Sequence, residues 1–121
     1  MKLPSHQIID QKHTEAVLEL CLALSLPADM VYFDGHFEAQ PILPAVAQIF
    51  MVRQLADYYW DLPVVCAGVK QLKFKATIIP DEAVHLYMSY DPDNMKLNFS
   101  YQATGVTKSK GTIFYKQREG S

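Results

Sequence analysis

The clearest hydrophobic pattern in the chain runs over residues 44–60 and predicts one long helix. Apolar side chains recur around most of its circumference, which is typical of a helix buried on nearly all sides. Pro44 fits the start of this helix, because the first helical position does not need a backbone N–H. Pro63 closes the segment. We therefore expect a single helix that is enclosed rather than lying on the surface.

Most of the remaining chain alternates between apolar and polar residues, which predicts strands. The alternation is strict in residues 84–90 and 95–103 and partial in residues 15–24; the other predicted strands are residues 64–79 and 106–117. Residues 30–33 are expected to be short and extended. Turn signals separate these segments at Asp34-Gly35, Pro80-Asp81-Glu82, residues 91–94 and Thr104-Gly105.

One buried helix and a run of antiparallel strands predict an α+β domain. Only a curved sheet can cover most of a helix, so the sheet is expected to wrap around it. The 121 residues should form one domain, residues 1–121. So short a chain leaves sheet edges exposed, and we expect dimerisation through an edge strand.

Composition and charge exclude several classes of function. Half of the chain is hydrophobic and the net charge is −2, so no basic character indicates a nucleic-acid partner. Polar residues interrupt the longest apolar run, and no membrane span or signal peptide is expected. Cys21 and Cys66 lie in apolar runs and are expected to be buried free thiols, and no His/Cys spacing predicts a metal site. A soluble, cytoplasmic protein is the resulting expectation.

The segment from residue 32 to residue 45 carries the most informative chemistry. His36 lies in a predicted turn, directly before the start of the predicted helix. An imidazole near a helix amino end could move a proton beside a polarised carbonyl. A histidine in a turn can equally serve structural hydrogen bonds, so its residue type alone leaves both interpretations open.

The motif around His36 resembles that of the hotdog-fold 3-hydroxyacyl-(acyl-carrier-protein) dehydratases. The matching residues are Gly35-His36-Phe37, then Pro41-Ile42 and Pro44, followed by the predicted helix. Two later segments are also similar to family motifs, namely Gly68–Phe74 and Ile79-Pro80-Asp81. The likeness covers about residues 28–90. Residues 27–29 and 46–49 are most similar to the small dehydratase-like proteins of aryl polyene and related polyketide-type clusters.

The resemblance implies a hotdog fold and a homodimer with two sites at the subunit interface. The implied substrate is an (R)-3-hydroxyacyl chain on the phosphopantetheine of an acyl carrier protein, which loses water to give a trans-2-enoyl thioester without a metal or cofactor. His36 is the implied catalytic base. The backbone N–H of Ala45 would hold the thioester oxygen, and Phe37 and Pro44 are expected to line the substrate site.

The chain departs from the family pattern at Phe50. The family has a catalytic Glu or Asp at this position, fourteen residues after the histidine, and phenylalanine cannot transfer a proton. Gln54, one turn later, matches a family glutamine and could orient a water. Gln48 points away from this side of the helix, and Glu38 is either a displaced acid or a loop carboxylate.

Three functions follow from this departure. The first is an active dehydratase that depends on His36. The second is a non-catalytic or partner-dependent subunit, in a homodimer or in a hetero-oligomer with a related hotdog subunit. The third is a hotdog thioesterase, against which Phe50 also argues. Because carrier proteins are acidic, basic residues near the site could assist docking; the candidates are Arg53, Lys70, Lys73 and Lys75.

Overall fold

The computed structural model describes residues 3–33 and 41–118, in which six strands and one α-helix form the domain. The strands are β1 (Ser5–His13), β2 (Leu18–Ser25), β3 (Val64–Phe74), β4 (Val84–Asp91), β5 (Lys96–Ala103) and β6 (Val106–Gln117). The helix α1 spans Ala45–Trp60, and Val31–Phe33 form a short 3₁₀-helix.

The six strands form one antiparallel sheet in the order β1-β2-β4-β5-β6-β3. Strand β4 buries alternate residues against the helix side, as its sequence pattern predicts. Thr104 and Gly105 both have positive φ and form the tight turn between β5 and β6. The predicted α+β architecture is confirmed, as are the helix and the strands β4, β5 and β6.

Strand β1 was not predicted from the sequence. Apart from the half-buried His6, its residues are exposed on both faces, so the pattern of burial that would identify a strand is absent. Its position depends on backbone pairing with β2 and on a side-chain contact, in which His6 Nε2 lies 2.5 Å from the hydroxyl of Tyr59 on α1. Both interactions are non-local and leave no local signature in the sequence.

Two other predicted segments are wrong in part. Residues 30–33 are not extended, since Val31–Phe33 form a helical turn in which Phe33 N–H bonds to Met30 O. The strand expected over residues 64–79 ends at Phe74. Ile78 belongs instead to a loop that enters the core: its side chain is fully buried, and its carbonyl accepts a hydrogen bond from Leu43 N–H at 2.7 Å.

The expectation that α1 is buried on nearly all sides is also wrong. The residues that face the sheet are Ala47, Gln48, Met51, Val52, Leu55 and Ala56. On the other side, Val46 is 78% exposed and Phe50 is 38% exposed. A single curved sheet covers only one side of a helix. The exposed residues Val46, Phe50, Arg53 and Asp57 are spaced at helical intervals, and we call them the uncovered stripe.

A buried polar cluster fixes the rotation of α1 against the sheet. Gln48 is 3% exposed; its Nε2 donates to Leu43 O at 3.1 Å, and its Oε1 accepts from Ser109 Oγ at 2.6 Å. The hydroxyl of Tyr101 donates to the backbone carbonyl of Gln48 at 2.6 Å. Rotating the helix would leave these buried groups unpaired, at a cost of about 1–3 kcal/mol each. The cluster therefore determines which side of α1 remains uncovered.

Tyr101→Phe should reduce the free energy of unfolding by about 1 kcal/mol, because it removes the hydroxyl donor to Gln48 O. Tyr115 provides the matched control, since its buried hydroxyl has no hydrogen-bond partner among the described residues. Tyr115→Phe should cost nothing. Denaturant unfolding of both variants measures the difference. Equal losses in the two variants would contradict the role given to the Tyr101–Gln48 bond.

Candidate active site

The residues expected to form the site divide between described and undescribed parts of the chain. His36, Phe37 and Glu38 lie in residues 34–40, outside the described residues. Pro44, Ala45, Phe50 and Gln54 are all described, and they lie together along the amino-terminal half of α1. The described part of the site is therefore the amino end of the helix and the side of it that follows.

Among the described residues, the amino end of α1 is held in place and carries no side-chain cap. Pro44 is the N-cap, with extended backbone angles (φ −63°, ψ 152°), and no described side chain caps the helix. The first bond along the helix runs from Gln48 N–H to Pro44 O at 3.1 Å. The N–H groups of Ala45 and its two successors therefore precede the hydrogen-bond ladder. Such groups, at the positive end of the helix dipole, can stabilise an oxygen that gains negative charge.

Two anchors define where these N–H groups lie. The Leu43–Ile78 backbone bond joins the residue before the N-cap to the core loop. The side-chain amide of Gln48, in the first turn of α1, donates a hydrogen bond to the backbone carbonyl of the same Leu43. Leu43 itself is 2% exposed. Pro44 and Ala45 therefore follow a residue that is fixed on both sides, so the open amino end is rigidly placed.

Phe50 lies on the uncovered stripe, between the exposed Val46 one turn before it and the half-buried Gln54 one turn after it. Ala45 and Phe50 are separated by a rise of about 7.5 Å along the helix. The side of the helix that carries Phe50 is apolar at Val46 and Phe50 and polar at Gln54.

No residue between Ala45 and Val52 can titrate near neutral pH. The first carboxylate on α1 is Asp57, seven residues after Phe50, a rise of about 10 Å. The carboxylate that Phe50 replaces relative to the family pattern therefore has no substitute on this part of the helix. Gln48, which the sequence already made a poor substitute, faces the core and is bonded there to Ser109.

A cavity lies at the carboxyl-terminal end of the uncovered stripe and was not predicted. Its volume is about 310 Å³, and its lining includes Arg53, Asp57 and Tyr115. Burial, reinforced by the nearby Asp57 carboxylate, raises the pKa of the Tyr115 hydroxyl far above its usual value. Tyr115 is therefore a neutral phenol at physiological pH. No local sequence pattern indicates this cavity, because its walls come from the helix, β3 and β6.

The described residues contain no group of three or more His, Cys, Asp or Glu side chains that could hold a metal ion. Cys21 and Cys66 are free thiols, and Cys66 is half-buried rather than buried as expected. None of the helices in the described part of the chain is long and apolar enough to cross a membrane.

Comparison with known proteins places this chain and its fold in a family. The fold class is the hotdog fold, as predicted: one antiparallel sheet curved around a central helix. A family model described as ApeI-like, ApeI dehydratase, matches residues 10–112. The chain therefore belongs to the ApeI-like dehydratase family. A search of curated proteins finds no match.

Solved structures agree with this assignment. An uncharacterized protein from Erwinia carotovora subsp. atroseptica is 29% identical, with a TM-score of 0.86 over 96% of this chain and 98% of that one. The dehydratase heterocomplex ApeI:P from Xenorhabdus doucetiae contains a chain that is 25% identical, with a TM-score of 0.78 over 93% and 99%. An N-terminal dehydratase from the difficidin assembly line, 15% identical with a TM-score of 0.60 over 88% and 40%, shares the fold alone.

The exposure of Phe50 makes it replaceable without loss of the fold. Phe50→Glu should lower the free energy of unfolding by about 1–2 kcal/mol, because Phe50 is 38% exposed and only its remaining, covered surface loses apolar contact. Met51, its fully buried neighbour, is the control: Met51→Ala should cost about 2–5 kcal/mol. Thermal and urea unfolding test both. A large loss in Phe50→Glu would show that Phe50 is a core residue and that the stripe is covered.

Proposed function

We propose that this protein removes water from (R)-3-hydroxyacyl thioesters carried on the phosphopantetheine of an acyl carrier protein, giving trans-2-enoyl thioesters. The observation that carries this proposal is the amino end of α1, which is held at Leu43, has no cap from any described side chain and directly follows the His36 motif in the sequence of an ApeI-like family member. Fatty-acid-like or aryl-polyene-type biosynthesis is the pathway class that uses this reaction.

In this proposal His36 is the catalytic base. Its imidazole removes the α-proton, and the unperturbed pKa of a histidine suits that step near neutral pH. The electrons move onto the thioester carbonyl oxygen, which the Ala45 N–H stabilises as negative charge develops. Pro44 and Phe37 line the approach. The methyl group of Ala45 stands where the family has glycine, so it narrows the access to this oxygen.

The departing hydroxyl needs a proton, and Phe50 cannot supply one. The imidazolium formed on His36 is then the donor: it returns the abstracted proton to the hydroxyl as the C–O bond breaks, and water leaves. One imidazole thus serves as base and then as acid. Losing a dedicated acid typically lowers the rate by about 10²–10⁴-fold, so slow turnover is expected. Gln54 would orient the leaving water.

The test of this function is turnover with carrier-bound and pantetheine-bound 3-hydroxyacyl thioesters. Enoyl formation should be measurable, and His36→Ala should abolish it because no other base replaces the imidazole. His85→Ala is the control, since His85 lies on β4 and is not part of the motif. Absence of turnover with every chain length and aryl group would contradict the enzymatic claim, and equal rates in both variants would contradict the role of His36.

A second candidate function is a partner-dependent subunit, and three observations favour it. Phe50 occupies the position of the acid, and the uncovered stripe leaves apolar surface at Val46 and Phe50 that a second subunit could cover. A related structure is a dehydratase heterocomplex. In this alternative the chain binds the acyl carrier or its acyl group, while a related hotdog subunit completes the site. A homodimer would cover the same surface without restoring the acid.

Phe50→Glu distinguishes the two candidates. If the missing acid limits the rate, this variant should raise turnover by roughly 10-fold or more. Phe50→Gln is the matched control, because its side chain has the same length as that of Glu and is polar but cannot donate a proton as an acid. A gain in turnover in Phe50→Glu but not in Phe50→Gln would support the absence of the acid as the cause of slow turnover. No gain in either variant, together with activity that appears only on mixing with a related subunit, would favour the partner-dependent function.

A further inference from the structure

The hydroxyl of Tyr115 is a buried polar group that the fold leaves without a partner. Tyr115 lies on β6 and is 8% exposed, and its hydroxyl forms no hydrogen bond with any described residue. Buried polar groups in native proteins are nearly always hydrogen-bonded, so an exception needs an explanation. The phenol is therefore available to a group that the described part of the chain does not supply.

Tyr115 is one wall of the cavity at the carboxyl-terminal end of the uncovered stripe. The helix contributes Arg53 and Asp57 to the same cavity, and β3 contributes Cys66. Burial is the main cause of the raised pKa of Tyr115; Asp57 and Cys66 raise this pKa further, whereas Arg53 lowers it. These three neighbours of the phenol are also walls of the cavity. The hydroxyl therefore lies beside the space that a ligand would fill.

The formal charges of the cavity walls cancel. The charged residues that line the cavity are Arg53, Arg118, Asp57 and Asp61. Arg53 and Asp57 lie one helical turn apart, but neither forms an ion pair within the described part of the chain. A ligand with a net charge would meet as many like charges as opposite ones. The walls therefore favour a neutral group that can both donate and accept hydrogen bonds.

A hydroxyl is the smallest neutral group with this chemistry. Its oxygen can accept a hydrogen bond from the Tyr115 O–H while its own proton is donated to the Asp57 carboxylate. The cavity volume is about 310 Å³, roughly twice that of a cavity that admits a benzene ring. The hydroxyl can therefore enter together with the end of the chain, or the ring, that carries it.

The cavity lies on the side of α1 that carries Phe50, because Arg53 and Asp57 belong to the same stripe. Ala45 and Asp57 are twelve residues apart on α1, a rise of about 18 Å. An extended chain of roughly 14 bonds spans that distance, at the advance per bond of an extended backbone. The apolar Val46 and Phe50 lie between the two ends. A chain held at Ala45 would therefore meet apolar residues first and polar residues last.

We propose that Tyr115 and Asp57 determine substrate specificity: the cavity binds the far end of the acyl chain and selects chains that end in a hydroxyl over chains that end in a methyl group. This inference rests on the proposed function for the position of the thioester. Tyr115 donates to the terminal oxygen, and the Asp57 carboxylate accepts the terminal proton. A methyl end leaves both groups unpaired inside the complex, which is how a site built for a hydroxyl rejects the analogue that lacks it.

The test uses two unreactive 3-hydroxyacyl pantetheine amides of equal length, one with a terminal hydroxyl and one with a terminal methyl group. Titration calorimetry should show that the wild-type protein binds the hydroxyl-ended amide roughly 10-fold or more tightly. Tyr115→Phe should reduce this preference roughly 2- to 10-fold, and Asp57→Ala, at an exposed position, should reduce it as well. Tyr90→Phe is the matched control: its buried ring lies 5.8 Å from that of Tyr115 but does not line the cavity, so the preference should remain.

Binding separates this inference from the proposed function, because it does not require turnover. Where turnover is found, equal kcat/KM values for the two chain ends would overturn the inference and leave the proposed function intact. Equal binding of the two amides by the wild-type protein would also overturn it. Tighter binding of an amine-ended chain would do the same, since Asp57 alone would then select the ligand. If Tyr115→Phe changes subunit dissociation but not the preference, the cavity receives a side chain of a second subunit instead, and the inference is wrong.

Discussion

A single six-stranded sheet can cover only one side of a helix, and the rest of this structure depends on that constraint. Helix α1 is apolar on nearly all sides, yet the sheet buries only the side that carries Met51, Val52 and Leu55. Gln48 selects that side, because its buried amide must meet Ser109 and the carbonyl of Leu43. Phe50 and Val46 are then left outside. The candidate site is thus a consequence of how the core is packed.

Much of the fold could be predicted from the sequence, for physical reasons that differ between elements. Apolar and polar residues alternate along strands β4 and β5 because one face of each strand is buried. The helix is indicated by Pro44 at its start and by the helical spacing of its apolar residues. Strand β1 has neither face buried, so its existence depends on pairing with β2 that no local pattern records. The strand predicted over residues 64–79 was too long because Ile78, a loop residue buried in the core, is as apolar as a strand residue.

The candidate site could be proposed from the sequence as a set of residues but not as a surface. Resemblance points to His36, Ala45 and Phe50 because the motif is defined by residue types and their spacing, and His36 lies outside the described residues. The uncovered stripe was missed, since apolar composition cannot show which side of the helix the sheet leaves exposed. The common orientation of Lys70 and Lys73 could not be predicted from alternation, because the bulge at Gln71 shifts the register of β3 by one residue. Parity rules applied to the sequence would have placed Lys70 and Lys73 on opposite sides.

The central claim is that the amino end of α1 and the uncovered stripe bind the acyl thioester. Amide and methyl chemical-shift mapping with an unreactive 3-hydroxyacyl pantetheine amide tests it most directly. The claim predicts the largest shifts at the Ala45 and Val46 amides, with ring-current changes around Phe50. Shifts confined to the side of the sheet away from α1, at Asn98 and Ser100 of β5, with α1 unaffected, would contradict it.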